Sequence, residues 1–192
     1  MDNVTNLEIE NVIVASHLGK DVELIKLATE LPNARYSSSG NPSVIIELDR
    51  TNPKFIGHKR LKAAGVLFGN GKVLVTGIAT LQEGKDIIAK LKDSIRNIDP
   101  KISTKRATKI ENMVTRMNFR KRLDLQMISN AIPGSEYDPL RFQGLIIRVD
   151  EPLASFILFE SGVAIITDIV SEAKAKKAFK ELQHIVETII LS

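Results

Sequence analysis

The side chains able to do covalent chemistry are few in this sequence, and they are scattered. His17, His58 and His184 share no ligand spacing, so they are not read as a metal site. There is no cysteine, which removes thiolate ligation, a catalytic cysteine and disulfides, and fits a reducing interior. Gly65 to Lys72 is superficially like a phosphate loop. However, five residues instead of four separate Gly65 from Gly71-Lys72, Val73 stands where a Ser or Thr is required, and a strand pattern follows instead of a helix. Carboxylates are plentiful, yet none forms a pair recurring at equivalent strand ends, and no Ser/His/Asp set suggests itself. The expectation is a protein that is not an enzyme and needs no metal or other cofactor. The side chains whose placement asks for a purpose are aromatic: Phe142 opens an apolar strand, Phe159 closes the returning one, and Phe68 sits before the turn Gly69-Asn70-Gly71.

The 192 residues, 43% hydrophobic and 26% charged, have an ordinary globular composition. A net charge of +4 mildly favours an anionic partner. The most basic stretch runs from Lys101 to Arg122, with Lys105, Arg106, Lys109, Arg116, Arg120 and Lys121 between them and Glu111 opposing. Such a run is either a solvated linker face or a phosphate contact, and the sequence leaves both open. No signal peptide is read at the N-terminus. No apolar run approaches the roughly 20 residues of a membrane helix, so no membrane partner is expected.

The elements that must carry these residues come as a repeat. Ile9-Glu10-Asn11-Val12-Ile13 recurs as Ile110-Glu111-Asn112-Met113-Val114, Pro32 as Pro133, Tyr36 as Tyr137, Phe68 as Phe159, Gly71 as Gly162 and Thr76 as Thr167. The spacing divides the chain into a short segment 1–8, a first unit 9–100, a basic linker 101–109 and a second unit 110–192. About ten extra residues fall in the first unit at 52–62. In the first unit, β-branched residues predict a strand over 9–18. A helix follows over 22–31, with Asp21 as its N-cap and Pro32 ending it. Strands are predicted at 44–48, 64–68 and 72–78, and a long helix at 81–98 whose stripe is Ile87, Ile88, Leu91, Ile95 and Ile98. The second unit predicts a strand over 110–119, a helix over 123–132, strands at 145–149, 155–159 and 163–169, and a helix from Glu172 to about Leu191. The fold class is α+β, with helices on one face of an antiparallel sheet. The strands Lys72–Thr76 and Val163–Thr167 are apolar on both faces, which means either two-sided burial or an apolar open face that binds something.

The duplication, the Glu-Asn-(Val/Met) opening of each unit, Tyr137-Asp138-Pro139 leading into Phe142-x-Gly144-Leu145-Ile146, and Phe68/Phe159 before strands ending in Thr76/Thr167 resemble the TATA-box-binding protein family over nearly the whole chain. The resemblance implies a saddle: two β-α-β-β-β-β-α units share one curved antiparallel sheet, with helices on the convex face. It implies a general transcription initiation factor that binds and bends A/T-rich promoter DNA, this family being itself a standard example of minor-groove kinking. By position, Asn11 and Asn112 would bond base acceptors, supported by Thr76 and Thr167. Ile13, Val114, Leu74 and Ile165 would press on the groove floor. Phe142 and Phe159 would wedge into one base step and Phe68 into another, with Lys72 and Arg148 at phosphates. Glu136, Tyr137 and Asp138 would meet transcription factor B, and RNA polymerase machinery would follow.

The chain also departs from the family pattern. Asn41 stands where a fourth phenylalanine belongs, Glu47 where an arginine is preferred, Val163 for a lysine, Leu153 for an arginine and Asp168 for a glycine. Leu140 stands where a second acidic residue is usual. Cations of the insertion, Lys54, Lys59, Arg60 and Lys62, are expected to restore positive charge. These departures motivate an alternative: a divergent paralogue acting mainly through protein partners, with weak DNA binding. An exposed apolar sheet could also self-associate without DNA. The absence of an acidic or glutamine-rich leading tail suggests a compact archaeal form, hence a cytoplasmic nucleoid location, against a nuclear one for a eukaryotic protein.

Overall fold

A computed structural model describes residues 7–50, 62–103, 106–151 and 153–191. The expected insertion lies outside the described residues except for Lys62. Two compact units emerge, one of residues 11–111 and one of residues 112–192 with 1–10. The first contains most of β1 (Glu8–His17), then α1 (Leu24–Glu30), β2 (Ala34–Ser37), β3 (Ser43–Leu48), β4 (Ala63–Phe68), β5 (Lys72–Ile78) and α2 (Leu81–Ile98). The second contains most of β6 (Lys109–Asn118), then α3 (Leu125–Ala131), β7 (Glu136–Asp138), β8 (Phe142–Asp150), β9 (Leu153–Leu158), β10 (Val163–Ile169) and α4 (Glu172–Leu191). The strand orders are β2-β3-β4-β5-β1 and β6-β10-β9-β8-β7, antiparallel throughout. The fold is α+β, with one strand, a helix, four strands and a helix in each unit.

Period-two alternation decides which face of each strand is covered. Val12 and Val14 of β1, Val73 and Val75 of β5, Leu67 of β4 and Val44 and Ile46 of β3 are buried under the helices. From α2, Ile87, Ile88, Leu91 and Ile95 meet them, each burial contributing roughly 1.5–3 kcal/mol, whereas Ile98, expected in the same stripe, is only half-buried. Gly84 lets α2 approach closely, since a Cβ there would lie 2.6 Å from Val14 Cγ2. In the second unit, Met113, Met117, Leu145, Ile147, Phe156, Ala164 and Ile166 form the equivalent layer, with Phe179 and Leu182 from α4.

Several boundaries differ from expectation. The first helix starts at Leu24, and Asp21 is not its cap; Glu23 occupies that position without a side-chain bond. The reason is upstream: Val22 N–H donates to Gly69 O at 2.9 Å, so the chain stays extended against the hairpin turn until residue 23. The second unit repeats the tether, Leu123 N–H to Glu160 O at 3.0 Å, and there Asp124 does cap, accepting from Met127 N–H. β8 begins at Phe142, three positions before its expected start, which puts that ring on a strand.

Candidate nucleic-acid interface

The face of each sheet opposite its helices carries the other half of the alternation. Cross-strand register lines up Ala15, Leu74, Val66, Ile45 and Arg35 in the first unit. In the second it lines up Arg116, Ile165, Ile157, Ile146 and Glu136. The apolar members Leu74, Val66, Ile45, Ile165, Ile157 and Ile146 are half-buried, as are Ile13 and Val114. The strands are therefore not buried on both sides. A face of shape-persistent, partly exposed aliphatic side chains is what the alternation builds here, and such a surface normally meets another molecule.

Beside each apolar row sits the same polar device. In the first unit Asn11 Nδ2 donates to Thr76 Oγ1 at 2.9 Å, and Gly77 N–H donates to Asn11 Oδ1 at 2.9 Å. In the second, Asn112 Nδ2 donates to Thr167 Oγ1 at 3.0 Å, and Asp168 N–H donates to Asn112 Oδ1 at 3.0 Å. The backbone bond fixes the amide orientation, so each Asn keeps one N–H free to donate outward. Gly77 and Asp168 both have positive φ, 79° and 63°, and both sit where their strand's register shifts against β1 or β6. This bulge is what aims the N–H at the asparagine.

The aromatic side chains separate into two populations. Phe156 and Phe179 are core, and Phe119 packs on Phe179 with ring centroids 5.0 Å apart. Phe142 is 44% exposed and meets Phe159 edge-on, centroids 6.1 Å apart and planes at 73°. A Cβ on Gly144 would lie 2.6 Å from the Phe142 ring, so the absent side chain makes the seat for it. Phe68 is half-buried and its register partner is Ser43; no second aromatic ring pairs with it among the described residues.

The charges on this side are largely paired. Lys72 Nζ meets Glu111 at 2.6 Å, Lys62 meets Glu47, Arg148 meets Glu136, and Arg116 lies 3.7 Å from Glu8. The hydrogen bond from Lys72 holds the Glu111 carboxyl below the usual glutamate range. Of the expected insertion cations, Lys62 is spent on neutralising Glu47, and Lys54, Lys59 and Arg60 lie outside the described residues. Tyr137 lines a concavity of about 560 Å³ with Pro139, Gln143, Phe159, Glu160, Ser161 and Val163. Leu140 is 97% exposed, and Asp138 lies 3.5 Å from Arg141.

The structure thus clusters Asn11, Ile13, Leu74, Thr76, Lys72 and Phe68 in one unit, and Asn112, Val114, Ile165, Thr167, Arg148, Phe142 and Phe159 in the other. Glu136 to Asp138 lie on the edge strand β7. Sequence reasoning missed Val66, Ile45, Ile157 and Ile146, and named Arg116 only within the basic run. Alternation in β3, β4, β8 and β9 was the available signal for the aliphatic four. It also missed that Ser155 Oγ donates to Asp168 Oδ2 at 2.6 Å.

A two-fold repeat of five strands and two helices, with matched Asn–Thr devices on an open aliphatic face, defines a duplicated sheet-surface binding protein. Residues 6–98 and 107–189 match the family described as "Transcription factor TFIID (or TATA-binding protein, TBP)". The TATA-box-binding protein of Methanothermobacter thermautotrophicus is 31% identical over 171 residues, 89% of each chain. That of Pyrococcus furiosus is 31% identical over 176 residues, 92% of this chain and 87% of the relative. Among solved structures, Methanococcus jannaschii TBP superposes with a TM-score of 0.79 at 28% identity, covering 95% of this chain and 99% of that one. The chain belongs to the TATA-binding protein family.

Proposed function

We propose that this chain is a general transcription initiation factor that lays its open sheet face on the minor groove of A/T-rich promoter DNA, bends it, and nucleates an initiation complex with transcription factor B and RNA polymerase. The observation that carries this reading is the pair of devices Asn11–Thr76 and Asn112–Thr167, matched bond for bond. Each presents one amide donor beside a row of half-buried aliphatic side chains. The minor groove of an A·T pair offers acceptors only, so a sparse donor set on an apolar sheet is complementary to it. Phe142 and Phe159 form one wedge and Phe68 alone the other. Unstacking costs roughly a few kcal/mol per step, a range drawn from proteins of this very family, and is offset by the surface that bent DNA wraps.

The test is binding of a labelled TATA-containing duplex, with the bend followed by energy transfer between its ends. The expected result is a bend sharper at the end held by Phe142 and Phe159, with Phe142→Ala flattening that end and leaving the Phe68 end unchanged. Absence of binding at micromolar protein, or equal kinks at both ends, would count against it. A second reading, a regulator acting mainly through protein partners, draws on the prior pairing of Lys72, Lys62, Arg116 and Arg148 with glutamates. Recovery of transcription partners that is insensitive to Asn112→Ala and Phe142→Ala, with no duplex bound, would favour it.

A further inference from the structure

The two units differ in chemistry beside their Asn–Thr devices on the open face. In the first, the residues beside the Asn–Thr device are Ala64, register partner of Thr76, and Gly77. Neither has a polar side chain. In the second, the same places hold Ser155, register partner of Thr167, and Asp168. Ser155 shares its face with half-buried Ile157, while Ala154 and Phe156 on either side of it are buried under the helices. Its hydroxyl is therefore on the open face. Because that hydroxyl donates to Asp168 Oδ2 at 2.6 Å, the carboxylate must lie over the open face too. The backbone of the same residue donates to Asn112 Oδ1, so carboxylate and amide are anchored to each other. Asp168 Oδ1 has no hydrogen-bond partner among the described residues. Arg148, opposite Ser155 in β8, is held by Glu136.

This position is a built one. Asp168 adopts φ 63°, a conformation that asparagine, aspartate and glycine tolerate and most residues do not. In the first unit a Cβ at residue 77 would lie 3.0 Å from Lys62 O, so a side chain is crowded out there.

We propose that Asp168, steadied by Ser155, is a specificity-determining residue that lets the second unit accept a G·C pair in its half of the site. This rests on reading the open face as a minor-groove surface. Asn112 supplies a donor and Asp168 an adjacent acceptor. In the minor groove a G·C pair shows acceptors together with the guanine N2 amino donor, and an A·T pair shows acceptors alone. A donor beside an acceptor matches the first edge. Against an A·T edge the carboxylate faces only other acceptors and is left unpaired. The first unit, with Asn11 and no carboxylate adjoining it, keeps the A·T preference, so the two halves read different edges.

The experiment is competition binding of the full chain against a panel of duplexes. One has an all-A/T core; the rest carry a single G·C pair at each successive core position in both orientations. Wild type, Asp168→Gly and Asp168→Asn are compared, since glycine and asparagine both accept this φ and keep the fold. The expected result is that wild type tolerates G·C at one position in one half-site. Asp168→Gly loses that tolerance, discriminating against the G·C duplex about tenfold more strongly, toward the lower end of what one base contact is worth, whereas Asp168→Asn, whose amide oxygen still accepts, keeps it in part. Variants that bind every duplex more tightly but keep the wild-type pattern would overturn the inference, since the carboxylate would then only repel phosphate. Tolerance that survives in folded Asp168→Gly overturns it as well. If no protein binds any duplex, the reading of the face as a DNA surface fails, and the inference falls with it; this outcome is distinct from binding with an unchanged pattern.

Discussion

At the scale of single residues, the repeat works as an internal control on what each position needs. Thr115 is the clearest case. Its equivalent in β1 is Val14, and both are fully buried beneath the helices. Thr115 Oγ1 has no hydrogen-bond partner, and an unsatisfied buried hydroxyl carries its desolvation cost without return. Thr115→Val keeps the shape and removes the hydroxyl, so it should raise stability by about 1 kcal/mol, read from the midpoint of urea denaturation. An unchanged or lower midpoint would mean that the hydroxyl finds a partner in solution. Lys92 shows the opposite outcome. It is 2% exposed on α2, and burial pushes its pKa down, but Nζ donates to Ser16 Oγ at 2.7 Å and to Arg106 O at 2.9 Å. The Lys92 bond to Arg106 O, with those that Ser16 Oγ donates to Arg106 O and Ala107 O, fastens the segment leading into β6 to β1 and α2.

At the scale of elements, α2 is set by its first turn. Thr80 caps it by accepting from Glu83 N–H, and Glu83, 4% exposed, receives a two-pronged contact from Arg50 at 3.0 and 3.1 Å. Glu83 also accepts from Ala79 N–H at 3.0 Å. Glu83→Ala removes both charged hydrogen bonds of a buried pair and the acceptor of Ala79 N–H, so it should destabilise by roughly 3–5 kcal/mol in chemical denaturation. A loss below about 1 kcal/mol would mean that Arg50 escapes to water. Elements of this kind were readable in the sequence where periodicity ran long, as in α2, α4 and the alternating strands. The repeat supplied a second reading of each. The short edge strands β2 and β7 were not readable, because three or four residues hold too little alternation to show. Nor was the true start of α1, which depends on a hydrogen bond from Val22 to Gly69 far along the chain. The Asn–Thr devices were legible as recurring residue types. The Ser155–Asp168 pair was not, since only the register of β9 against β10 brings the two together.

At the scale of the molecule, the two units are the same architecture carrying different charges. Glu47 and Arg148 hold equivalent places, as do Ala15 and Arg116 and also Lys72 and Val163. What they share is a pairing: Lys72, Lys62, Arg116 and Arg148 at the open faces each hold a glutamate. A lysine that meets a phosphate by leaving a carboxylate trades one anion for another. The DNA releases a condensed counterion, but the abandoned glutamate takes one up, so that contact hardly registers in the salt dependence of the binding constant. The slope of log K against log salt should therefore be shallower than about −0.9 per cation counted at the interface. Glu111→Gln, which leaves Lys72 without its carboxylate, should steepen the slope by about 0.9, measured by titrating binding from low to moderate salt. A slope unmoved by that change would show that Lys72 does not reach a phosphate. Where the open faces meet DNA as proposed, the glutamates act as built-in counterions, and they should make the protein's hold on DNA less sensitive to the ionic strength around it than its count of cations implies.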